Sequence, residues 1–288
     1  MKPRALPLFT SFSAFLLVRG FLSYFHLNAL TRIKIIYLFP KFYYILVPFT
    51  FLLLIIVFWF NEILFFEASL YHTNIVKRNL KFGFFGFLLS EIMLFFRLFW
   101  AFFHRSLSPR IEIGCRWPPV GIQKILRWGI PLLNTIILLN SGITLTIRHK
   151  FWIMGQKKWT ILYLILTIFF GLIFIFVQVF EYAVAPFAMN DGIYGRTFYV
   201  LTGFHGFHVV IGLLGLIIIL FVLCSNSNIN TLSFRAKSTS AMKKLSSRKT
   251  EFISLHRFIS LEFAFIYWHF VDIVWIFVFG FVYIWGNS

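Results

Sequence analysis

The segment Thr202–Gly212, TGFHGFHVVIG, sets His205 and His208 three residues apart inside an apolar run. On a helix that spacing puts both imidazoles on one face, an arrangement able to hold a metal or a haem. A metal needs further ligands at the same depth, and Glu262 with His269, seven residues apart on one face of a later apolar run, are the available ones. A bis-histidine haem wants single histidines on facing helices near mid-depth, whereas both of these fall near the start of their run. The pattern therefore fits a polar belt better than a ligand set. In that belt His205, His208, Glu181, Tyr182 and Asp191 bond one another and water.

Glu91 lies in the middle third of another apolar run. A carboxyl in hydrocarbon costs at least a few kcal/mol unless it is neutral or paired. It either handles protons or ties two helices together as a hydrogen-bonded acid, and the tie is the simpler reading. Arg97 is six residues further on, about 240° around a helix, so the two cannot pair on one helix. Arg97 then snorkels toward an interface or meets another chain, and Arg19 snorkels near the end of its run. In YWHFVDIVW, Asp272 must find a donor, and His269 is three residues before it. No nucleophile with its base, phosphate-cradling glycine loop or cysteine cluster accompanies these groups.

The elements carrying them follow from composition. The chain has 288 residues, 60% hydrophobic and 12% charged, far from the roughly one-quarter charged of soluble domains. About 20 apolar residues cross a bilayer as a helix. Seven segments qualify: Leu6–Phe25, Phe42–Phe60, Phe82–Phe103, Gly129–Ile147, Thr160–Tyr182, Thr197–Cys224 and Phe258–Trp285. The first lacks a small-residue cleavage site and is read as a retained helix. The expected class is an all-α transmembrane bundle of seven helices.

The net charge is +18. Its Lys and Arg sit in short connections between spans, which suits anionic headgroups and argues against nucleic acid. They are more numerous on the N-terminal side of the membrane, which places the N-terminus inside. Cys115 and Cys224 fall at opposite membrane ends and are not expected to bridge. Residues 225–257 form a long polar connection. CRWPPVG at Cys115–Gly121 is a rigid turn, and Pro131 suits a helix first turn. Gly203, Gly206, Gly212 and Gly215 are candidates for close helix approach. No internal repeat is visible. The 42 Phe, with many Ile, Asn and Lys, suit an AT-rich genome such as an organelle's.

Several motifs in order resemble subunit III of the cytochrome c oxidases. They are Ser90–Glu91, FWAFFHRSLSP at Phe99–Pro109, WPPVGI at Trp117–Ile122 and PLLNTIILLNSGIT at Pro131–Thr144. The long run Gln178–Gly212 and YWHFVDIVW at Tyr267–Trp275 complete the set. Seven spans favour the cytochrome c branch over the shorter quinol oxidase relatives. The resemblance implies two helices splayed from five in a V, divided as 1–76 and 77–288, with phospholipids in the cleft. It implies no haem, copper or catalytic centre in this chain, those cofactors lying in partner subunits I and II, and accessory oxidase subunits as further neighbours. It implies that Glu91 is the characteristic intramembrane carboxyl. Headgroup contacts are implied near the end of the second span, at Trp59, Glu67 and His72. Glu181, His205, His208, Glu262, His269 and Asp272 are then helix-bridging groups. The implied location is the mitochondrial inner membrane, multi-pass, N-terminus on the matrix side.

The chain departs from that pattern at Arg97, at Arg105 and Arg148, whose added charge would meet acidic lipid or accessory subunits, and in its long connection with no basic residue near Val222. From the residues alone, a stand-alone transporter or proton channel using Glu91 and Asp272 is the alternative. A membrane cytochrome is a third reading.

Overall fold

In a computed structural model of the chain, residues 5–31, 43–62, 74–109, 111, 114–233 and 262–286 are described. Every long element among them is a helix. In chain order these are α1 (Leu6–Thr31), α2 (Tyr43–Glu62), α3 (Asn74–Leu107), α4 (Ile130–Ile153), α5 (Lys157–Val184), α6 (Ile193–Ser233) and α7 (Glu262–Trp285). All but α2 contain a stretch long and apolar enough to cross a membrane, and α2 contributes the shorter apolar stretch Tyr43–Phe58. Large side chains such as Phe58, Phe176 and Phe221 point outward on these helices. In water such a surface would aggregate; in lipid it is the solvated one.

The helices form two compact units, one of α1 and α2, the other of α3 from Asn79 onward with α4–α7. In the first, Pro48 inside α2 cannot donate to the carbonyl of Tyr44. Gly20 of α1 packs directly on that carbonyl, where any Cβ would collide with it. The hydroxyls of Thr10, Ser11 and Ser13 donate back to carbonyls three residues earlier, so none is left bare toward lipid.

In the second unit the turns are tight. Gly155, at φ +73°, ends α4, and α5 starts two residues later, which makes the two helices antiparallel neighbours. Pro131 occupies the first turn of α4, as its fixed φ favours. Gly114, Cys115 and Gly121 all have positive φ around the cis Trp117–Pro118 bond. This segment seats Trp117 edge-on against Phe102 and near Tyr194. At its other end α7 changes to a π-helix over Phe279–Trp285. Arg127 donates from Nη1 to the Ile284 carbonyl at 3.3 Å, supporting that end.

The core of this unit is aromatic: Trp268, Trp275, Tyr194, Tyr283, Phe102, Phe174 and Phe198 are fully buried. Of the four glycines expected to admit a neighbour, only Gly212 does. A Cβ there would lie 2.9 Å from the Trp268 ring, and the other three face open space. Spacing alone does not tell which side of a helix a neighbour occupies.

Helix limits also differ from the apolar runs. α3 begins at Asn74, not Phe82, and α6 at Ile193, not Thr197. Helical hydrogen bonding continues past the hydrocarbon, where Lys and Arg can snorkel. Within the span Ile193–Cys224, His205 and His208 lie near the middle and not at its start.

Candidate functional site

His208 and Glu91 meet across α6 and α3, Nε2 to Oε2 at 2.7 Å. Both sit midway along their spans. His208 Nδ1 lies 2.7 Å from the Phe204 carbonyl. A carbonyl only accepts, so Nδ1 carries a hydrogen. One proton then remains to be shared between Nε2 and Oε2. Whether it rests on the acid or on the imidazole, the pair is neutral overall, which is what hydrocarbon tolerates. Phe95 covers the imidazole at 5.0 Å between ring centres.

The other polar groups form separate ties. Tyr283 donates to Glu181 Oε1 at 2.6 Å, joining α7 to α5. Asn134 donates to Gln178 at 3.1 Å, joining α4 to α5. Tyr182 donates to Thr202 at 2.7 Å, joining α5 to α6. Trp275 donates to Thr135 at 3.0 Å, joining α7 to α4. Asp191 is in the α5–α6 turn, where it accepts from the Ala188 N–H at 2.6 Å. The expected single belt is therefore corrected to a ladder of pairwise ties at several depths. His205 belongs to none of them. It lies between the rings of Phe174 and Trp275, at 5.8 and 5.0 Å, with both nitrogens buried and without a hydrogen-bond partner. His208, three residues along, is turned some 60° around the helix and so meets α3 instead.

On α7, His269 Nδ1 approaches Asp272 Oδ2 at 3.6 Å, and its Nε2 lies 3.3 Å from Thr146 Oγ1. The Asp272 carboxylate presses on α4 at Gly142, where a Cβ would be 2.5 Å from Oδ2. Trp268 Nε1 donates to Ser141 Oγ at 2.9 Å. Glu262 pairs with Lys81 of α3 at 3.3 Å, with the lysine side chain 49% and the glutamate 25% exposed. Exposed pairs contribute little, so Lys81→Ala should change thermal stability of the subunit by under about 1 kcal/mol. A larger loss would give that pair an importance its exposure does not suggest.

Arg148 does not reach out to acidic lipid or a neighbouring chain. It is 1% exposed, and all three guanidinium nitrogens are buried without a hydrogen-bond partner. It is one of the buried residues of α4, with Ser141, Thr144 and Leu145. Replacing a buried charge that lacks a partner by an apolar side chain of similar length is neutral or stabilising. Arg148→Met should therefore leave the unfolding midpoint unchanged or raise it; a fall of several degrees would contradict this.

Among the described residues, no three His, Cys, Asp or Glu side chains converge on a point where a metal could bind. Cys115 and Cys224 are exposed and are not joined by a disulfide. Trp59 lies in α2, its side chain outside the described residues, as are Glu67 and His72 entirely; so is 234–257 of the polar connection. Tyr283, Asn134, Gln178 and Lys81 were not singled out in the sequence. Asn134 and Gln178 carried a signal, being uncharged polar groups inside apolar runs.

A family model of cytochrome c oxidase subunit III matches residues 1–235 and 236–287. The chain belongs to that family. It is similar to cytochrome c oxidase subunit 3 of Prototheca wickerhamii, 39% identical over 100% of this chain and 97% of the relative. It resembles that of Chondrus crispus at 42% over 82% and 78%, and that of Papio hamadryas at 37% over 100% and 96%. Within the subunit III family, then, this chain brings the intramembrane acid Glu91 against His208 of a neighbouring helix and holds Glu181 through Tyr283.

Proposed function

We propose that the chain is a non-redox core subunit of a terminal respiratory oxidase, the complex that oxidises cytochrome c, reduces dioxygen to water and pumps protons. It stabilises subunit I and binds structural phospholipids, while haem and copper reside in subunits I and II. Its place is the mitochondrial inner membrane, with the N-terminus on the matrix side. Residues 1–76 and 77–288 act as two parts. Trp59, Glu67 and His72 contact headgroups, and accessory oxidase subunits are further neighbours.

The observation that carries this reading is the use made of the acids inside the spans. Glu91, Glu181 and Asp272 each engage a neutralising or hydrogen-bonding group within the chain, at 2.7, 2.6 and 3.6 Å. Groups engaged in this way hold helices in register: Glu181, His208, Glu262 and His269 each meet a residue of another helix, and Asp272 presses on α4 at Gly142. The test is purification in mild detergent with a visible spectrum and identification of companion proteins. Co-purification with a haem–copper subunit, and loss of all haem bands when the chain is separated from it, is the expected result. A stable isolated chain that moves protons into liposomes, or that carries its own haem band, would overturn it.

A further inference from the structure

An open pocket of about 630 Å³ lies where α5 ends and α6 begins, lined chiefly by Tyr182, Pro186, Phe187, Met189, Asp191 and Tyr199. Three features define its chemistry. The first is aromatic: Tyr199 stands edge-on to Tyr182 at 5.1 Å and to Phe187 at 5.7 Å. The second is the way the phenols are tied. Tyr182 gives its hydrogen to Thr202 and Tyr199 gives its hydrogen to the Phe187 carbonyl, both at 2.7 Å. Neither hydroxyl has a donor left for a ligand. The third is charge. The exposed carboxylate of Asp191 has one oxygen held by the Ala188 N–H, which fixes it at the pocket.

Aromatic rings beside a fixed carboxylate attract a cation. Aromatic-lined sites are the usual receptors of quaternary ammonium groups, whose charge is spread over methyl groups that pack on rings. A trimethylammonium group needs no acceptor and gains from ring faces and negative charge alone. The pocket also opens at the ends of two membrane-crossing helices, which is headgroup level, and Val184 and Met189 beside it present apolar surface. We propose that this pocket binds the choline headgroup of a phospholipid. It is a second lipid contact, in the five-helix unit, independent of the one proposed at Trp59, Glu67 and His72.

The test uses the purified oxidase complex in a non-choline detergent. Saturation transfer from protein to the N-methyl protons of dihexanoylphosphocholine is compared with transfer to the headgroup methylenes of dihexanoylphosphoethanolamine. Native mass spectrometry in parallel counts the phosphatidylcholine retained. Asp191→Asn keeps the acceptor for Ala188 and removes the charge. Tyr199→Leu removes the ring, and Tyr199→Phe keeps the ring and removes the hydroxyl. Asp191→Asn and Tyr199→Leu should each weaken phosphocholine binding about threefold to tenfold, with one fewer phosphatidylcholine retained, and Tyr199→Phe should bind as the parent does. Tetramethylammonium should compete and sodium should not. Equal binding of the two headgroups, or phosphocholine binding unchanged by Asp191→Asn, would overturn the proposal. Either result leaves the oxidase-subunit reading untouched, because that rests on haem and companion proteins.

Discussion

Trp268→Ala is expected to cost about 3 kcal/mol of subunit stability, among the largest losses any single truncation in this chain would give. Its indole is wholly buried at the meeting of four helices. It reaches from α7 to bond Ser141 of α4, and the backbone of α5 at Gly171 and of α6 at Gly212 approaches its ring. A Cβ at either glycine would stand 2.9 Å from indole carbons. Truncation therefore empties a space walled by two helix backbones and Ser141, which cannot collapse without moving whole helices. In lipid the gain from leaving water is absent, so lost dispersion contact and the cavity supply most of the penalty.

Two companions separate the causes. Trp268→Phe fills most of the space and loses the bond to Ser141, whose own hydroxyl still donates to the Leu138 carbonyl. It should lose about 1 kcal/mol. Gly212→Ala keeps the indole but forces a methyl onto it, and should cost about 1–3 kcal/mol by overpacking. Graded SDS denaturation of the purified complex, followed by retention of this subunit, orders the three. A Trp268→Ala subunit as resistant as the parent would mean that the α4–α7 core is not what holds the unit together.

The spans were legible because crossing a bilayer requires a long apolar run, and each of the seven runs falls on one of the helices among the described residues. Their ends were not, because hydropathy marks where lipid ends and not where hydrogen bonding ends. Asn74–Lys81 shows this by continuing α3 through three basic residues. The residues that matter chemically were legible as polar groups inside apolar runs, which singled out Glu91, Glu181 and Asp272. Their partners were hidden. His208 is 117 residues from Glu91, and Tyr283 is 102 from Glu181. No within-helix spacing encodes such a pair, and helix-face logic instead grouped His205 with His208.

The π-helix was equally hidden. Over Phe279–Trp285 the wider turn alters which side chains face inward, and Phe279, Val282 and Tyr283 are its buried residues. Tyr283 thereby reaches Glu181 from the last turn of α7. Gly171 and Gly142 illustrate the same limit. Neither belongs to an obvious small-residue pattern, yet they admit Trp268 and the Asp272 carboxylate. Sequence spacing proposes faces, and only the packed neighbour selects one.

The Glu91–His208 tie carries the second large effect. His208→Leu leaves the Glu91 carboxyl facing hydrocarbon without its partner, and Glu91→Leu strands His208 Nε2. Each should cost about 1–3 kcal/mol. In the double variant both polar groups are gone, so its loss should fall short of the sum by about 1 kcal/mol or more. Glu91→Gln then distinguishes where the shared proton sits. Because His208 Nδ1 gives its hydrogen to the Phe204 carbonyl, Nε2 of a neutral imidazole can only accept. A protonated Glu91 donates to it, and a glutamine amide does the same with nearly the same shape. If the acid is the donor, Glu91→Gln preserves stability and initial oxidase turnover, and difference infrared loses a protonated-carboxyl band. If instead the pair is carboxylate and imidazolium, the parent has no such band to lose, and Glu91→Gln still leaves a hydrogen bond, from Nε2–H to the amide oxygen or from the amide to a neutral Nε2. The neutral arrangement is the expected one, because a bond between two uncharged groups avoids placing two ions midway across the span. A parent spectrum without a protonated-carboxyl band that Glu91→Gln removes would reverse that assignment and make the tie an ion pair.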